Sequence, residues 1–328
     1  MNKKGFLRVG IGMAISAICA WLVVRGVNVQ DAREAARSVN VTWLGLALLG
    51  FVAGYACRIE RWRRMLVHEN REIGWWDCAG PFFAGYAANN LLPFRAGDVV
   101  RAFAFSRVLG VNPGAVVTTL LVERLLDLLA LLLILSSSIL AFGVARFHSS
   151  TAGVLILGTS LVAVLIVLFF PRIVVRVVRS ACTGIGRVSP RIGGKILSEV
   201  EKGAAMLTSL TDAKNLLGLF LLTMLVWVIE GWIFLSAALS VPTLVVPEAS
   251  LLALPTGTLS TLIPSAPGFI GTFEYFVVIS MTEMGNPTAA ASVYALIVHG
   301  LLAFPSLLFG GAYLVFSSFR ARIGSWSI

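Results

Sequence analysis

The sequence predicts an all-α polytopic membrane protein made of two inverted-topology repeats, each of three transmembrane helices plus a re-entrant helical hairpin. Three observations carry that expectation. Of 328 residues, 58% are hydrophobic and 13% are charged, against roughly 25% charged in a soluble domain. Six apolar runs approach or exceed the ~20 residues needed to cross a ~30 Å hydrocarbon core. Two further apolar regions, 74–112 and 248–286, are interrupted near their middles by proline and glycine, and their features recur in the same order.

The first run, 7–24, follows Lys3, Lys4 and Arg8. It has the look of a secretion signal, but Arg25 succeeds it and no A-x-A-like site precedes that arginine, so it reads as a retained span. The other spans fall near 43–59, 114–142, 151–170, 215–239 and 287–317, giving repeats at about 7–142 and 151–317. Segment 58–72 holds Arg58, Arg61, Arg63, Arg64 and Arg71 against Glu60, Glu69 and Glu72. Linker 171–214 holds eight basic residues against Glu199, Glu201 and Asp212, a net +5. Its Ile192, Ile196, Val200, Leu207 and Leu210 recur at helical spacing and predict an amphipathic helix on the membrane surface. Basic residues concentrate on the cytoplasmic side. That rule places both termini, 60–72 and 171–214 in the cytoplasm, with 25–42, 143–150 and 240–250 outside. The chain's net charge of +10 therefore reads as membrane orientation and attraction to anionic lipid, not as a nucleic-acid surface. The four cysteines, Cys19, Cys57, Cys78 and Cys182, show no metal-ligand spacing, and neither a metal, a cofactor nor a disulfide is expected.

By this parity, regions 74–112 and 248–286 each begin and end on one side. Either could be a pair of full spans. The first, however, carries Arg95, Arg101, Arg107 and Asp98, too many charges for lipid-facing helices. Re-entrant hairpins, with tips buried in protein, fit better. NNLLPFRAGDVVR at 89–101 aligns with STLIPSAPGFIGT at 260–272, Asn112-Pro113 with Asn286-Pro287, and VERLL at 122–126 with VHGLL at 298–302. The order span, span, hairpin, span repeats, first from inside and then from outside.

The first tip carries the polar groups. Asn89 and Asn90 end one half-helix, Pro93 breaks it, and Asp98 is placed to cap the next, with Gly97 permitting the turn. Arg95 and Arg101 beside that helix start would hold an anionic headgroup. The competing reading is internal pairing, such as Arg101 with Asp98. At the second tip, Pro264, Pro267, Gly268 and Gly271 form the turn, Ser265 is a possible cap, and Glu274 and Tyr275 follow. Arg124 is the expected partner of Glu274. Glu123 and Asp127 share a helix face with Arg124 between them, which makes either a fixed network or a proton- or substrate-coupled relay. Glu230, beside Trp227 and Trp232, and His299, aligned with Glu123 and able to titrate near neutrality, are second-tier candidates. No nucleophile elbow, phosphate-binding loop or soluble catalytic stretch is present.

Three motifs in order, NNLLPFRAGDVVRAF, VERLLDLLAL and PSAPGFIGTFE, resemble the lysylphosphatidylglycerol synthase transmembrane (flippase-like) family over nearly the whole chain. That family includes the flippase half of enzymes that make and translocate aminoacylated phosphatidylglycerol, and stand-alone members. The resemblance implies two inverted halves, lipid translocation, and a central cavity holding Asn89–Arg101, Glu123–Arg124 and Pro264–Glu274. The sequence departs from the bifunctional members by lacking the aminoacyl-transferase domain. The expectation is thus a lipid flippase of the inner membrane, with anionic or zwitterionic lipids as partners and arginines at 58–64 and 172–191 gathering anionic lipid. The alternatives are a membrane-embedded transferase acting on a lipid phosphate through Glu123 or Asp127, and an accessory subunit of an envelope-lipid synthase.

Overall fold

The computed structural model describes residues 3–92, 95–142, 158–165, 207, 210 and 212–324. Among them the regular structure is helical: α1 (Lys3–Val24), α2 (Val29–Arg37), α3 (Val41–Leu66), α4 (Trp75–Leu91), α5 (Ala96–Phe103), α6 (Pro113–Phe142), α7 (Ala213–Leu239), α8 (Ser250–Ser260), α9 (Thr272–Glu283) and α10 (Thr288–Gly324). A helical stretch also occupies 158–165, within the expected span 151–170, the rest of which lies outside the described residues. So do Pro93, Cys182, segment 143–150 and most of linker 171–214.

Among the described residues, four helices are long and apolar enough to cross a membrane: Val41–Leu66, Pro113–Phe142, Lys214–Leu239 and Thr288–Ser317. The first predicted span is α1, which meets α2 at an 85° bend. Helix α2 was not expected in segment 25–42. Its start is set by Asn28, whose side chain accepts the Gln30 N–H at 2.9 Å. Asp31 in its first turn and Arg37 in its last oppose the helix dipole.

Between the long helices lie two short antiparallel pairs. Helix α4, of 17 residues, packs on α5, of 8. Helix α8, of 11 residues, packs on α9, of 12. Helices α5, α8 and α9 are too short for a full crossing, and α4 is at the lower limit of one. Around them, α3 packs along α7, α4 along α10, and α8 against α6. One core centres on Trp62, Phe82 and Leu126, the other on Phe234, Tyr294 and Val277, and Leu301 packs against both.

One expectation needs correction. Helix α3 runs on through the basic segment as far as Leu66, so Arg58 and Arg61 are buried in the protein and gather no lipid at its surface. Only Arg63 and Arg64 of that group lie toward solvent, both paired with Glu60. From the linker, Leu207 and Leu210 are buried in the first core.

Gly97 is present for close approach and not for a turn. A Cβ there would lie 2.0 Å from the Gly85 carbonyl oxygen and 2.6 Å from the Asn89 nitrogen. Gly85 in turn leaves room for the Arg101 stem, which a Cβ would meet at 2.4 Å. The two arms thus touch backbone to backbone, as membrane helices do where small residues line the contact. Gly97→Ala is expected to cost about 1–3 kcal/mol through forced separation of the arms. Gly300→Ala on α10, where a Cβ meets nothing within 4 Å, should leave stability unchanged or raised. Melting temperatures of the two purified variants against wild type check both.

Candidate functional site

Both hairpin tips face one cavity of about 480 Å³. Its walls come from α3, α4, α5, α6, α7, α8, α9 and α10. One side is leucine-rich, and two of those leucines, Leu121 and Leu262, are also exposed. The cavity's charged groups are Arg58, Arg95, Asp98, Arg124, Asp127 and Glu230, set among aromatic side chains.

The charged residues are ordered by arginine–carboxylate pairs. Arg61 grips Asp127 with both terminal nitrogens, at 2.6 and 3.2 Å, and lies 3.8 Å from Glu123. Trp227 donates its indole N–H to Asp127 at 3.1 Å. Arg101 grips Glu123 at 3.2 and 3.4 Å, with its guanidinium between the Trp62 and Phe82 rings. Arg58 holds Glu230 at 3.0 Å and sits over the faces of Tyr55 and Trp227. Arg124 donates to both oxygens of Asp98 at 3.0 Å. Two carboxylates on one face of α6 are therefore neutralised from α3 and α5, elements on either side of it. Buried ions persist only when paired in this way.

The tips differ in construction. At the first, Arg95 has φ +52° and ψ +39°, a left-handed conformation costing roughly 1–2 kcal/mol for a residue with a Cβ. Helix α5 receives its cap from α4: the Asn89 side-chain oxygen accepts the Asp98 N–H at 3.2 Å, and its amide returns a bond to Asp98 at 3.1 Å. Asp98 itself does not cap the helix. The Arg95 guanidinium reaches across to donate to the Thr261 hydroxyl and lies over the Phe269 ring at 5.7 Å. Phe269 is also left-handed, at φ +60°. The tips thus meet through two residues in a strained backbone region.

At the second tip the helix starts at Thr272, later than the prolines implied. Gly271 has φ +90°, and its N–H donates to Glu274 at 2.7 Å. A Cβ on Gly271 would lie 2.4 Å from the Ser16 carbonyl oxygen of α1. Ser265 does not cap this helix; the Ala266 N–H donates to the Ser16 hydroxyl at 2.8 Å. The other Glu274 oxygen binds His299 Nδ1. Glu274 therefore pairs with His299, and Arg124 pairs with Asp98.

Of the expected site residues, Asn89, Asn90, Arg95, Asp98, Arg124, Asp127, Glu230 and His299 line the cavity. Glu123 and Arg101 are fully buried behind it. Glu274 touches it through His299. Gly97, Pro264, Pro267, Gly268 and Tyr275 are not in its wall, and Pro93 lies outside the described residues. Arg58, Arg61, Tyr55, Tyr86, Thr261 and Phe269 were missed. The two arginines carried a signal in retrospect: at i, i+3 before Arg63-Arg64, they continue one helix face from Tyr55.

A family model described as lysylphosphatidylglycerol synthase TM region matches residues 9–310. Among curated proteins, the glycosyltransferase AglD of Haloferax volcanii is 22% identical over 335 residues, covering 92% of this chain and 53% of that protein. The chain therefore spans about half the length of that relative.

Removing Arg61 leaves Asp127 and Glu123 short of a buried partner. Arg61→Ala is expected to lose roughly 3–5 kcal/mol of stability, with partial recovery in Arg61→Ala/Asp127→Asn. Arg124→Ala should lose less, because the Arg124 and Asp98 side chains are 33% and 21% exposed. Thermal melts monitored by size-exclusion recovery rank the three; a loss for Arg124→Ala as large as for Arg61→Ala would contradict the pairing.

Proposed function

This chain belongs to the lysylphosphatidylglycerol synthase TM region family, and on that premise we propose that it carries a polar-headgroup lipid across the cytoplasmic (inner) membrane. The observation that carries the reading is the charge of the cavity. Each carboxylate lining it is held by an arginine, whereas Arg95 has no carboxylate within ion-pair distance among the described residues. A headgroup phosphate supplies the missing partner, and a guanidinium grips it through two N–H groups at once. The acyl chains remain in lipid past Leu121 and Leu262, both exposed at the apolar side.

The helix pairings support two inverted halves. Helix α3 packs on its counterpart α7; α4 meets α10 as α8 meets α6, and α5 meets α6 as α9 meets α10. These pairs exchange under a two-fold operation. Rocking of one half against the other, around a site at the midplane, is how such repeats alternate access. The positive-inside rule favours cytoplasmic termini.

The name of the Haloferax volcanii relative raises a transferase reading. That chemistry needs a carboxylate available to take a proton. Glu123 is buried against Arg101 and Arg61, and both oxygens of Asp127 are taken by Arg61, which favours translocation.

Two measurements test the proposal. In liposomes with a labelled phospholipid, purified wild type should accelerate flipping. Arg95→Gln, which keeps its neighbours' ion pairs, should slow it at least about tenfold at an unchanged melting temperature, with Arg95→Lys between the two. Equal rates for wild type and Arg95→Gln would refute the role of that residue. For the inverted halves, single cysteines in a cysteine-free background should label from the cytoplasmic side at Arg71 and Val108. Those at Arg33 and Glu283 should label only from outside. A single-sided pattern would overturn it.

A further inference from the structure

Arg95 belongs to the first half of the chain, yet its guanidinium is held by the second. Resting on the translocation reading, we propose that Thr261 and Phe269 are positioning residues for Arg95, so that the phosphate site is assembled across the contact between the two hairpin tips.

The first half offers Arg95 no free partner. Asp98, three residues on, is taken: Arg124 donates to both of its oxygens at 3.0 Å, and the Asn89 amide to one of them at 3.1 Å. Both oxygens of Asp127 are taken by Arg61. The Arg95 backbone stands at φ +52°, just before α5. An arginine in that place with nothing to hold it keeps its rotamer freedom, and ordering it weakens the binding of any ligand it meets.

The second half removes that freedom. Among the described residues, Arg95 makes one side-chain hydrogen bond, from Nη2 to the Thr261 hydroxyl. Its guanidinium also lies 5.7 Å from the centre of the Phe269 ring, within reach of a cation–π contact. Both contacts come from groups that are themselves fixed. Thr261 ends α8, and its hydroxyl donates to the Thr258 carbonyl at 2.7 Å. Its single proton is therefore committed, and it serves Arg95 as an acceptor without being able to donate to a phosphate. The Phe269 N–H donates to the Ala266 carbonyl at 3.0 Å, and its own carbonyl accepts the Thr272 hydroxyl at 3.0 Å. Beside it, a Cβ on Gly268 would lie 3.3 Å from the Asn90 carbonyl oxygen at the end of α4, so the second tip rests directly on the first.

The hold leaves the arginine usable. Thr261 takes one of the two hydrogens on Nη2. One two-pronged edge of the guanidinium stays open for a pair of phosphate oxygens. Thr261 and Phe269 thus act on the ligand through Arg95, and the site is whole only while the tips touch.

The test is a double-mutant cycle on lipid binding. The full chain in detergent is titrated with phosphatidylglycerol and read by native mass spectrometry, with melting temperatures as the control. Thr261→Val keeps the branched shape and loses the hydroxyl, and it is expected to weaken binding about fivefold. Thr261→Ser keeps the hydroxyl and should bind within about twofold of wild type. Phe269→Leu should weaken binding about two- to threefold. In an Arg95→Gln background, neither Thr261→Val nor Phe269→Leu should have a further effect, because each acts through the guanidinium. Equal losses in both backgrounds would assign the residues to the fold and overturn the proposal. So would Thr261→Val binding within about twofold of wild type, or Thr261→Ser losing as much as Thr261→Val. Should Thr261→Val fail to purify, Phe269→Leu in the two backgrounds gives the same comparison. Soluble glycerol phosphate should displace little lipid; displacement as complete as by unlabelled phosphatidylglycerol would make the ligand a soluble phosphate and end the lipid assignment. Flipping by the same proteins separates the two readings. A cycle that holds in binding while wild type flips no lipid ends the translocation reading and keeps the positioning role. Flipping by wild type with additive binding losses does the reverse.

Discussion

An arginine inside a membrane protein must be matched by a carboxylate, and the arrangement of this molecule follows from meeting that demand several times within one space. Arg58, Arg61, Arg101 and Arg124 come from three helices, and Glu230, Asp127, Glu123 and Asp98 from three elements. No single hairpin contains its own solution. The pair Arg58–Glu230 fixes α3 against α7, Arg61–Asp127 fixes α3 against α6, and both Arg101–Glu123 and Arg124–Asp98 fix α5 against α6. Lipid offers helices little hydrophobic reason to associate, so these cross-helix bonds, with close-packed glycines, set the register of the bundle. The cavity is the place where the matching stops one residue short.

The two tips hold their shape by different means. The first relies on side chains: Asn89 caps α5 from the opposite arm, and Arg95 reaches Thr261. The second relies on backbone. Gly271 takes a positive φ, gives its N–H to Glu274, and lies against Ser16 of α1. Glu274 then meets His299, where the first half has Arg101 against Glu123. Equivalent places thus carry opposite charges on the hairpin, cationic in one half and anionic in the other.

Much of this architecture was legible in the amino-acid order alone. The apolar runs located the long helices, and charges in an apolar setting flagged Asp98, Glu123, Arg124 and Asp127. Partners were harder. Arg58 and Arg61 sit in a run of arginines that looks like an orienting loop, and only the continuation of α3 to Leu66 shows that one face of that run points inward. Local spacing offered Asp98, three residues away, as an alternative partner for Arg101, yet Arg101 turns toward Glu123, with Gly85 opening a channel for its stem. The glycine rule misled similarly at Gly97, where space and not torsion is the requirement. Tyr86 and Phe269 carried no signal, since an aromatic in an apolar run is ordinarily core.

Helix α1 has a consequence for biogenesis. Its Ser16 receives the Ala266 N–H, a contact closing 250 residues of chain. During synthesis α1 leaves the ribosome long before the tip it braces. The membrane must accommodate α1 throughout that interval with this flank bare, which its mostly apolar sequence tolerates. The second hairpin therefore locks α1 in place, and a chain arrested before residue 266 lacks that lock.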